Sequence, residues 1–133
     1  MENTTYTSDL ANVTANDLTG FFVGWTHTPS AEKLLQLLQN SRYRLLATDK
    51  ESGSVMGYIT ALSDDVLFGH ISSLEVLPDY QKLGIGKRLV DGMMSQLDHL
   101  YAIDLVCDPD VQPFYERCGF KPWSSMIVRR PGR

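Results

Sequence analysis

Between Leu77 and Ile85 the chain must leave a strand, turn and enter a helix, and the residues it uses there narrow its choices more than any other segment. Pro78 cannot donate to a strand ladder, so the strand predicted over Phe68–Leu77 stops at it. Helical spacing begins at Gly84, where Ile85, Leu89, Met93 and Leu97 recur four apart and predict a helix over Gly84–Leu97. Between them stands Gln81-Lys82-Leu83-Gly84-Ile85-Gly86-Lys87-Arg88. Two glycines one residue apart permit a sharp turn and close approach of a ligand to the backbone. A helix start leaves its first N–H groups unpaired, and the helix dipole favours an anion there. Lys82, Lys87 and Arg88 add positive charge. A Walker A loop is excluded: counting back from Gly86, its first glycine falls on Gln81, and its Ser/Thr falls on Arg88. A dinucleotide fingerprint fails at Leu89, where a third glycine is required. What remains is Q-x-x-G-x-G behind a strand, either a phosphate cradle or a helix entry that needs glycine only for packing.

The rest of the chain supplies a layered α/β frame for this turn. Thr4–Thr7 reads as a short strand. Thr14 with Asp17 three residues on suggests a helix start, with the helix running to about Phe22. Gly24–Pro29 reads as a loop, and Ser30 caps a helix carrying Leu34, Leu35, Leu37 and Leu38. Strands at Tyr43–Thr48, Val55–Leu62 and Phe68–Leu77, separated by turns at Asp49–Gly53 and Asp64-Asp65, form an antiparallel meander. Ala102–Cys107 is a strand, Val111–Arg117 a short helix ended by Gly119, and Phe120–Val128 offers one or two last strands. The expected order is β-α-α-β-β-β-α-β-α-β(-β): a mixed, mostly antiparallel central sheet with helices on both faces and one right-handed parallel crossover after Pro78. A length of 133 residues fits one domain, 1–133.

Composition removes several classes of function. A net charge of -4 and a pI of about 5.2 argue against a general nucleic-acid binder. The longest apolar stretches are about five residues, against the ~20 that a membrane span needs. The first ten residues, MENTTYTSDL, lack the basic flank and apolar run of a signal peptide, so a cytoplasmic protein is expected and the sequons at Asn3 and Asn12 carry little weight. Cys107 and Cys118 are read as reduced thiols, and His27, His70 and His99 lie too far apart for metal-ligand spacing, so no metal is expected.

Two segments together resemble one family. Leu74–Val90, LEVLPDYQKLGIGKRLV, resembles the coenzyme A motif of the GNAT superfamily of N-acetyltransferases. Pro113–Phe120, PFYERCGF, resembles its later motif, an aromatic-tyrosine pair followed by Gly-Phe. Val55–Ala61, VMGYITA, fits its third strand. The resemblance spans about Tyr43–Phe120; the first forty residues match only in layout. It implies that acetyl-CoA is the cosubstrate. Its pyrophosphate would be held at Gln81, Leu83, Gly84, Ile85, Gly86 and Lys87, largely by backbone N–H groups. Its pantetheine arm would lie along Leu74, Val76 and Leu77. Asp108 stands where the family often has an asparagine that bonds the coenzyme arm. It could contact a coenzyme amide, orient the acceptor or simply start an Asp-Pro turn with Pro109.

Tyr115 matches the tyrosine that in many members protonates the departing thiolate, and it is the expected general acid. A backbone N–H, that of Val76, would hold the oxyanion. Glu75, on the coenzyme strand, is the first choice for the group that takes the amine's proton, with Asp104, His70 or ordered water as alternatives. Phe22 and Trp25, in an unusually aromatic loop, would line the acceptor pocket. The implied activity is acetyl transfer by direct attack to a primary amine, in first place that of a small molecule. A protein N-terminus or lysine as acceptor, or an acyl-CoA-binding regulatory module without turnover, are the alternatives. Either a monomer or a homodimer is compatible with the sequence.

Overall fold

The structure is a computed structural model and describes residues 3–133. Five strands form one sheet in sequential order: β1 (Thr4–Thr7), β2 (Tyr43–Asp49), β3 (Val55–Ser63), β4 (Phe68–Val76) and β5 (Ala102–Leu105). The first four pair antiparallel, and β4 with β5 is parallel. Three α-helices accompany them: α1 (Ala31–Asn40), α2 (Ile85–Gln96) and α3 (Gln112–Arg117). Single 3-10 turns occupy Ala15–Leu18, Pro78–Tyr80 and Pro109–Val111. The mixed sheet with one parallel crossover is the architecture the pattern predicts.

The meander is set by its turns. The Asp49 carboxylate accepts from the amides of Glu51 and Ser52, and Gly53 takes a φ of 77° to close the first hairpin. Asp64 Oδ1 accepts from the amides of Val66, Leu67 and Phe68 and closes the second. Successive strand residues then point to opposite faces. Ala47, Ile59, Ala61 and Ile71 meet Ile85, Leu89, Met93 and Leu97 in one core cluster, together with α2. Leu46, Val55 and Tyr58 meet Leu18, Phe21, Phe22, Leu34 and Leu38 in a second. Ser30 caps α1 as its side chain accepts from the Lys33 amide at 3.1 Å.

Two expectations are corrected. The helix expected from Thr14 to about Phe22 is one 3-10 turn, Ala15–Leu18. The capping box does form, with Asp17 accepting from the Thr14 amide at 2.9 Å. Gly20 at φ 91° and Phe22 at φ 65° then break the helical path and turn both phenylalanines into the core. The last strands expected in Phe120–Val128 do not form: β5 pairs with β4 alone, and an extended segment without a ladder partner has nothing to stabilise it as a strand. β4 and β5 part well before Pro78. Their last pair is Ile71 with Leu105, although β4 runs on to Val76.

Candidate active site

The early parting makes a fork whose β4 side carries free backbone. In an antiparallel ladder alternate amides point to alternate edges. The Leu77 amide donates to the Met56 carbonyl at 2.9 Å, on the β3 side. Leu74 and Val76 are an odd number of residues away, so their N–H groups point into the fork. Leu77 is different from the other two strand residues of the expected coenzyme site: its amide is taken by Met56, and its carbonyl already accepts from the Tyr80 amide at 2.9 Å. Ser72 is an extra residue in β4, because Thr60 faces Ser73 and Ala61 faces Ile71. Such a bulge twists and bends the strand just where β5 leaves it.

Beyond the fork the chain makes the glycine turn. Gly84 sits at φ 84° as the residue before α2, and a Cβ there would meet nothing within 4 Å. Its requirement is conformational, since a left-handed backbone strains any residue with a side chain. Gly86 answers to packing: a Cβ there would lie 3.3 Å from the Phe114 ring of α3. The first amide of the turn to find a backbone partner in α2 is that of Arg88, bonded to the Gly84 carbonyl at 3.1 Å. The amides of Gly84, Ile85, Gly86 and Lys87 have no acceptor among the described residues. Ile85 offers only its backbone, because its side chain is buried in the core. Leu83 is exposed.

The side chains of the turn are partly committed. Gln81 Nε2 donates to the Val76 carbonyl at 3.0 Å, tying the turn to the end of β4. Lys87 Nζ pairs with Asp91 at 2.8 Å, which raises its pKa above the ordinary lysine value. The Arg88 guanidinium lies over the Tyr6 ring, 4.7 Å from its centroid.

Tyr115 reaches the sheet from α3, which is ended by Gly119 at φ 96°. Its ring packs edge-to-face between Phe114 and Phe120, at 5.0 and 5.8 Å. Burial, then the neighbouring sulfurs of Cys107 and Cys118, pushes the phenol up to about 12. Its hydroxyl has no hydrogen-bond partner among the described residues. Asp108 is exposed at the start of the 3-10 turn before α3, and its carbonyl accepts from the Val111 amide.

On the opposite face, Glu75 does something the sequence did not announce. Its Oε1 accepts from the Phe22 amide at 2.9 Å and its Oε2 from the Val23 amide at 3.2 Å. One carboxylate thus fastens the aromatic loop to the end of β4. Phe22 is buried and packs edge-to-face on Trp25 at 5.0 Å, while Trp25 itself is 59% exposed. Tyr58 stands opposite Glu75 in the ladder and packs on Phe21 at 5.1 Å. Burial, then the Glu75 charge, pushes the Tyr58 phenol well above its ordinary value. Along the same face the Thr60 hydroxyl bonds those of Ser73 and, at 2.8 Å, Ser72. The sequence reading missed this polar row of Tyr58, Thr60 and Ser73; period-2 alternation in β3 was the available signal.

His70 and Asp104 are register partners on β4 and β5, with Nδ1 and Oδ1 2.6 Å apart. They line a cavity of about 530 Å³, along with Tyr115 and Cys107. None of the turn residues, Glu75, Phe22 or Trp25 lines it. It lies along the outer edge of β5 and is not the fork. Among the described residues no cluster of three or more His, Cys, Asp or Glu side chains is placed to hold a metal ion. No helix among them is long and apolar enough to cross a membrane.

Comparison with known proteins identifies the frame. The profile of the acetyltransferase (GNAT) family matches residues 10–120. The chain belongs to that family. A candidate acetyltransferase from Deinococcus radiodurans R1, known from its crystal structure, is 39% identical and superposes with a TM-score of 0.93, over 96% of this chain and 89% of that one. A GNAT-family acetyltransferase from Streptococcus pneumoniae TIGR4 is 26% identical with a TM-score of 0.73, over 96% and 97%. Among curated proteins, the uncharacterized N-acetyltransferase ycf52 of Pyropia yezoensis is 32% identical over 101 residues. That match covers 74% of this chain and 58% of the algal protein. The chloroplastic GCN5-related N-acetyltransferase 3 of Arabidopsis thaliana is 38% identical over 71 residues, which is 52% of this chain and 30% of the plant protein. The chain thus spans three-fifths or less of the length of these two GNAT relatives.

Proposed function

We propose that this GNAT chain transfers the acetyl group of acetyl-CoA to the primary amine of a small molecule. The observation that carries the proposal is the fork itself. Free amides of Leu74 and Val76 lead directly to a helix start with four amides lacking an acceptor. An extended chain with amide groups, ending in a pyrophosphate, matches that sequence of donors. In this reading Leu74 and Val76 hold the pantetheine arm. Leu83, Gly84, Ile85, Gly86 and Lys87 hold the phosphates, and Gln81 keeps the turn on β4. Leu77 acts through its side chain or not at all. Asp108, exposed at the far side of the fork, is a second contact for the arm.

The amine nitrogen attacks the thioester carbonyl and forms an N–C bond. The oxyanion is held by the Val76 N–H, the C–S bond then breaks, and coenzyme A leaves as the thiolate. Tyr115 stabilises that thiolate by donating a hydrogen bond as the bond breaks. A phenol pushed up to about 12 by burial holds its proton more tightly than a thiol of ordinary pKa, roughly 8.5, so its part is the hydrogen bond. The net proton on the thiol therefore comes from solvent, and the amine's proton leaves to water. Glu75 acts in this scheme as a positioning residue that fixes the loop between buried Phe22 and exposed Trp25 beside the acceptor, in place of the base role the sequence suggested. The exposed face of Trp25 favours a cationic or aromatic amine.

The decisive experiment incubates the chain with acetyl-CoA and separate polyamines, arylalkylamines, amino acids, aminoglycosides and peptides, and follows free thiol. Thiol release with a small amine supports the reading. Release with peptides alone moves the acceptor to proteins, and coenzyme binding with no release anywhere defeats it in favour of a binding module.

A further inference from the structure

His70 and Asp104 stand just below the fork, on the last rung but one of the β4–β5 ladder: only Ile71 with Leu105 follows before the strands part. Ile71 belongs to the core under α2, so its neighbour His70 points to the opposite face. There its ladder partner is Leu62, on the same side of β3 as Thr60 and Tyr58. Tyr58 packs with Phe22 and Phe21, and Glu75 holds the Phe22 amide, so this is the face on which the acceptor is placed.

The pair is built to take up a proton. His70 Nδ1 and Asp104 Oδ1 are 2.6 Å apart. An ionised carboxylate only accepts, so the proton of the neutral ring sits on Nδ1 and the lone pair on Nε2. Nε2 has no hydrogen-bond partner among the described residues. When Nε2 takes a second proton, the ring keeps its Nδ1–H on Asp104, whose charge offsets the new one. Both side chains are open to water, and an exposed pair of this kind adds little to stability.

A row of hydroxyls leads to the pair. Ser73 precedes Leu74, whose amide faces the fork. Its hydroxyl bonds that of buried Thr60, which bonds the Ser72 hydroxyl at 2.8 Å. Ser72 is the bulged residue, exposed and two residues from His70. Each hydroxyl both donates and accepts, so each can give up its own proton as it receives another. On the acetyl-transfer reading, on which this rests, we propose that the amine's proton leaves along this row and passes through His70 on its way to water, with Asp104 as a positioning residue. As the N–C bond forms the nitrogen becomes positive. Its N–H bond breaks toward Ser73, the shift runs through Thr60 to Ser72, and a water carries it to Nε2. The imidazolium releases that proton to solvent, which also supplies the proton of the departing thiolate, so the balance closes.

The other groups nearby are less suited. Both oxygens of Glu75 are engaged by the Phe22 and Val23 amides. Burial, then the Asp108 and Asp110 charges, pushes the Cys107 thiol up, so it keeps its own proton. Besides Asp104 and Cys107, the titratable groups that share the cavity with His70 are Tyr115 and Glu116 of α3 and Lys121 beyond it, while β3 faces it with apolar Leu62. Glu116, an exposed carboxylate, is the rival acceptor.

The experiment follows thiol release at saturating amine as a function of pH. His70→Gln is expected to lower kcat by ~10²-fold near neutrality and to abolish the fall of kcat that wild type shows in acid, since Nε2 must be free of a proton to accept one. The amine KM and the calorimetric acetyl-CoA affinity stay near wild type. Thr60→Val cuts the row at constant shape and gives a similar loss, which Thr60→Ser restores. Because the two positions serve one path, the double variant is no slower than the slower single variant. A wild-type kcat and pH profile in His70→Gln overturns the path. Additive losses in the double variant overturn it too, as does a loss of the acid limb in Glu116→Gln with none in His70→Gln. Should Thr60→Val fail to fold, the pH profile of the surface variant His70→Gln decides alone. Wild type that releases no thiol with any amine overturns the acetyl-transfer reading and the path with it, whereas release that His70→Gln leaves untouched overturns the path alone.

Discussion

Replacing Glu75 by Gln separates the two roles open to this carboxylate. The side chain keeps its length but turns one acceptor oxygen into an NH₂ group. That group must face the amide of Phe22 or Val23, which are held at 2.9 and 3.2 Å in the native protein. One charge-assisted hydrogen bond is lost, and the other becomes neutral. Hydrogen bonds to a charged group contribute about 1.5–3 kcal/mol, so the loop opens roughly ten- to a hundredfold more often. If Glu75 is a positioning residue, the KM for the best amine rises by about tenfold and kcat at saturation changes little. Hydrogen exchange at the Phe22 amide accelerates by a similar factor, since that amide donates to Glu75 at 2.9 Å. A base would behave in the opposite way. Its loss costs ~10²–10⁴ in kcat, most steeply at low pH, where the amine is protonated. Unchanged exchange at Phe22 with a collapse of kcat would refute the positioning argument and return Glu75 to proton transfer.

Tyr115→Phe keeps the ring packed between Phe114 and Phe120, so folding survives; kcat is expected to fall by ~10² with acetyl-CoA affinity nearly intact, and an unchanged kcat under chemistry-limited conditions removes the hydroxyl from the reaction. Gly86→Val places a branched side chain 3.3 Å or less from Phe114, which costs ~1–3 kcal/mol of stability and weakens acetyl-CoA binding at least tenfold; equal calorimetric affinity in a folded variant would take the turn out of the site. Gly84→Ala meets no neighbour, so its effect is the left-handed backbone alone, about 1–2 kcal/mol by thermal or denaturant melting; a neutral result would show that the turn relaxes to another conformation. Three amides hold the Asp64 carboxyl below the usual range, so its folded form favours the anion. The stability this adds is complete above the unfolded pKa of roughly 3.9 and is lost as pH falls through the depressed value. Asp64→Asn should therefore melt below wild type at pH 7, with the gap narrowing under pH 4; a constant gap would exclude the carboxylate as the cause.

What the sequence made legible depended on the range of the interaction that decides each feature. The turns at Asp49 and Asp64, the cap at Ser30 and the glycines at 84 and 119 are set by neighbours a few residues away, and they fold as the pattern predicts. The strands of the meander were legible because alternation alone separates the two faces. Features decided by distant partners were not. Phe22 and Glu75 are 53 residues apart, and nothing local in either says that a carboxylate on a strand will cap a loop. For Gly86 the sequence left close ligand approach and packing both open, and the packing partner, Phe114 on another helix, is seen only in the structure. The extended reading of Phe120–Val128 failed for a related cause: its residues are those of a strand, but a strand exists only with a neighbour, and β5 lies across an open slot. Propensity therefore marked the segment as strand-like, and without a ladder partner it is not a strand.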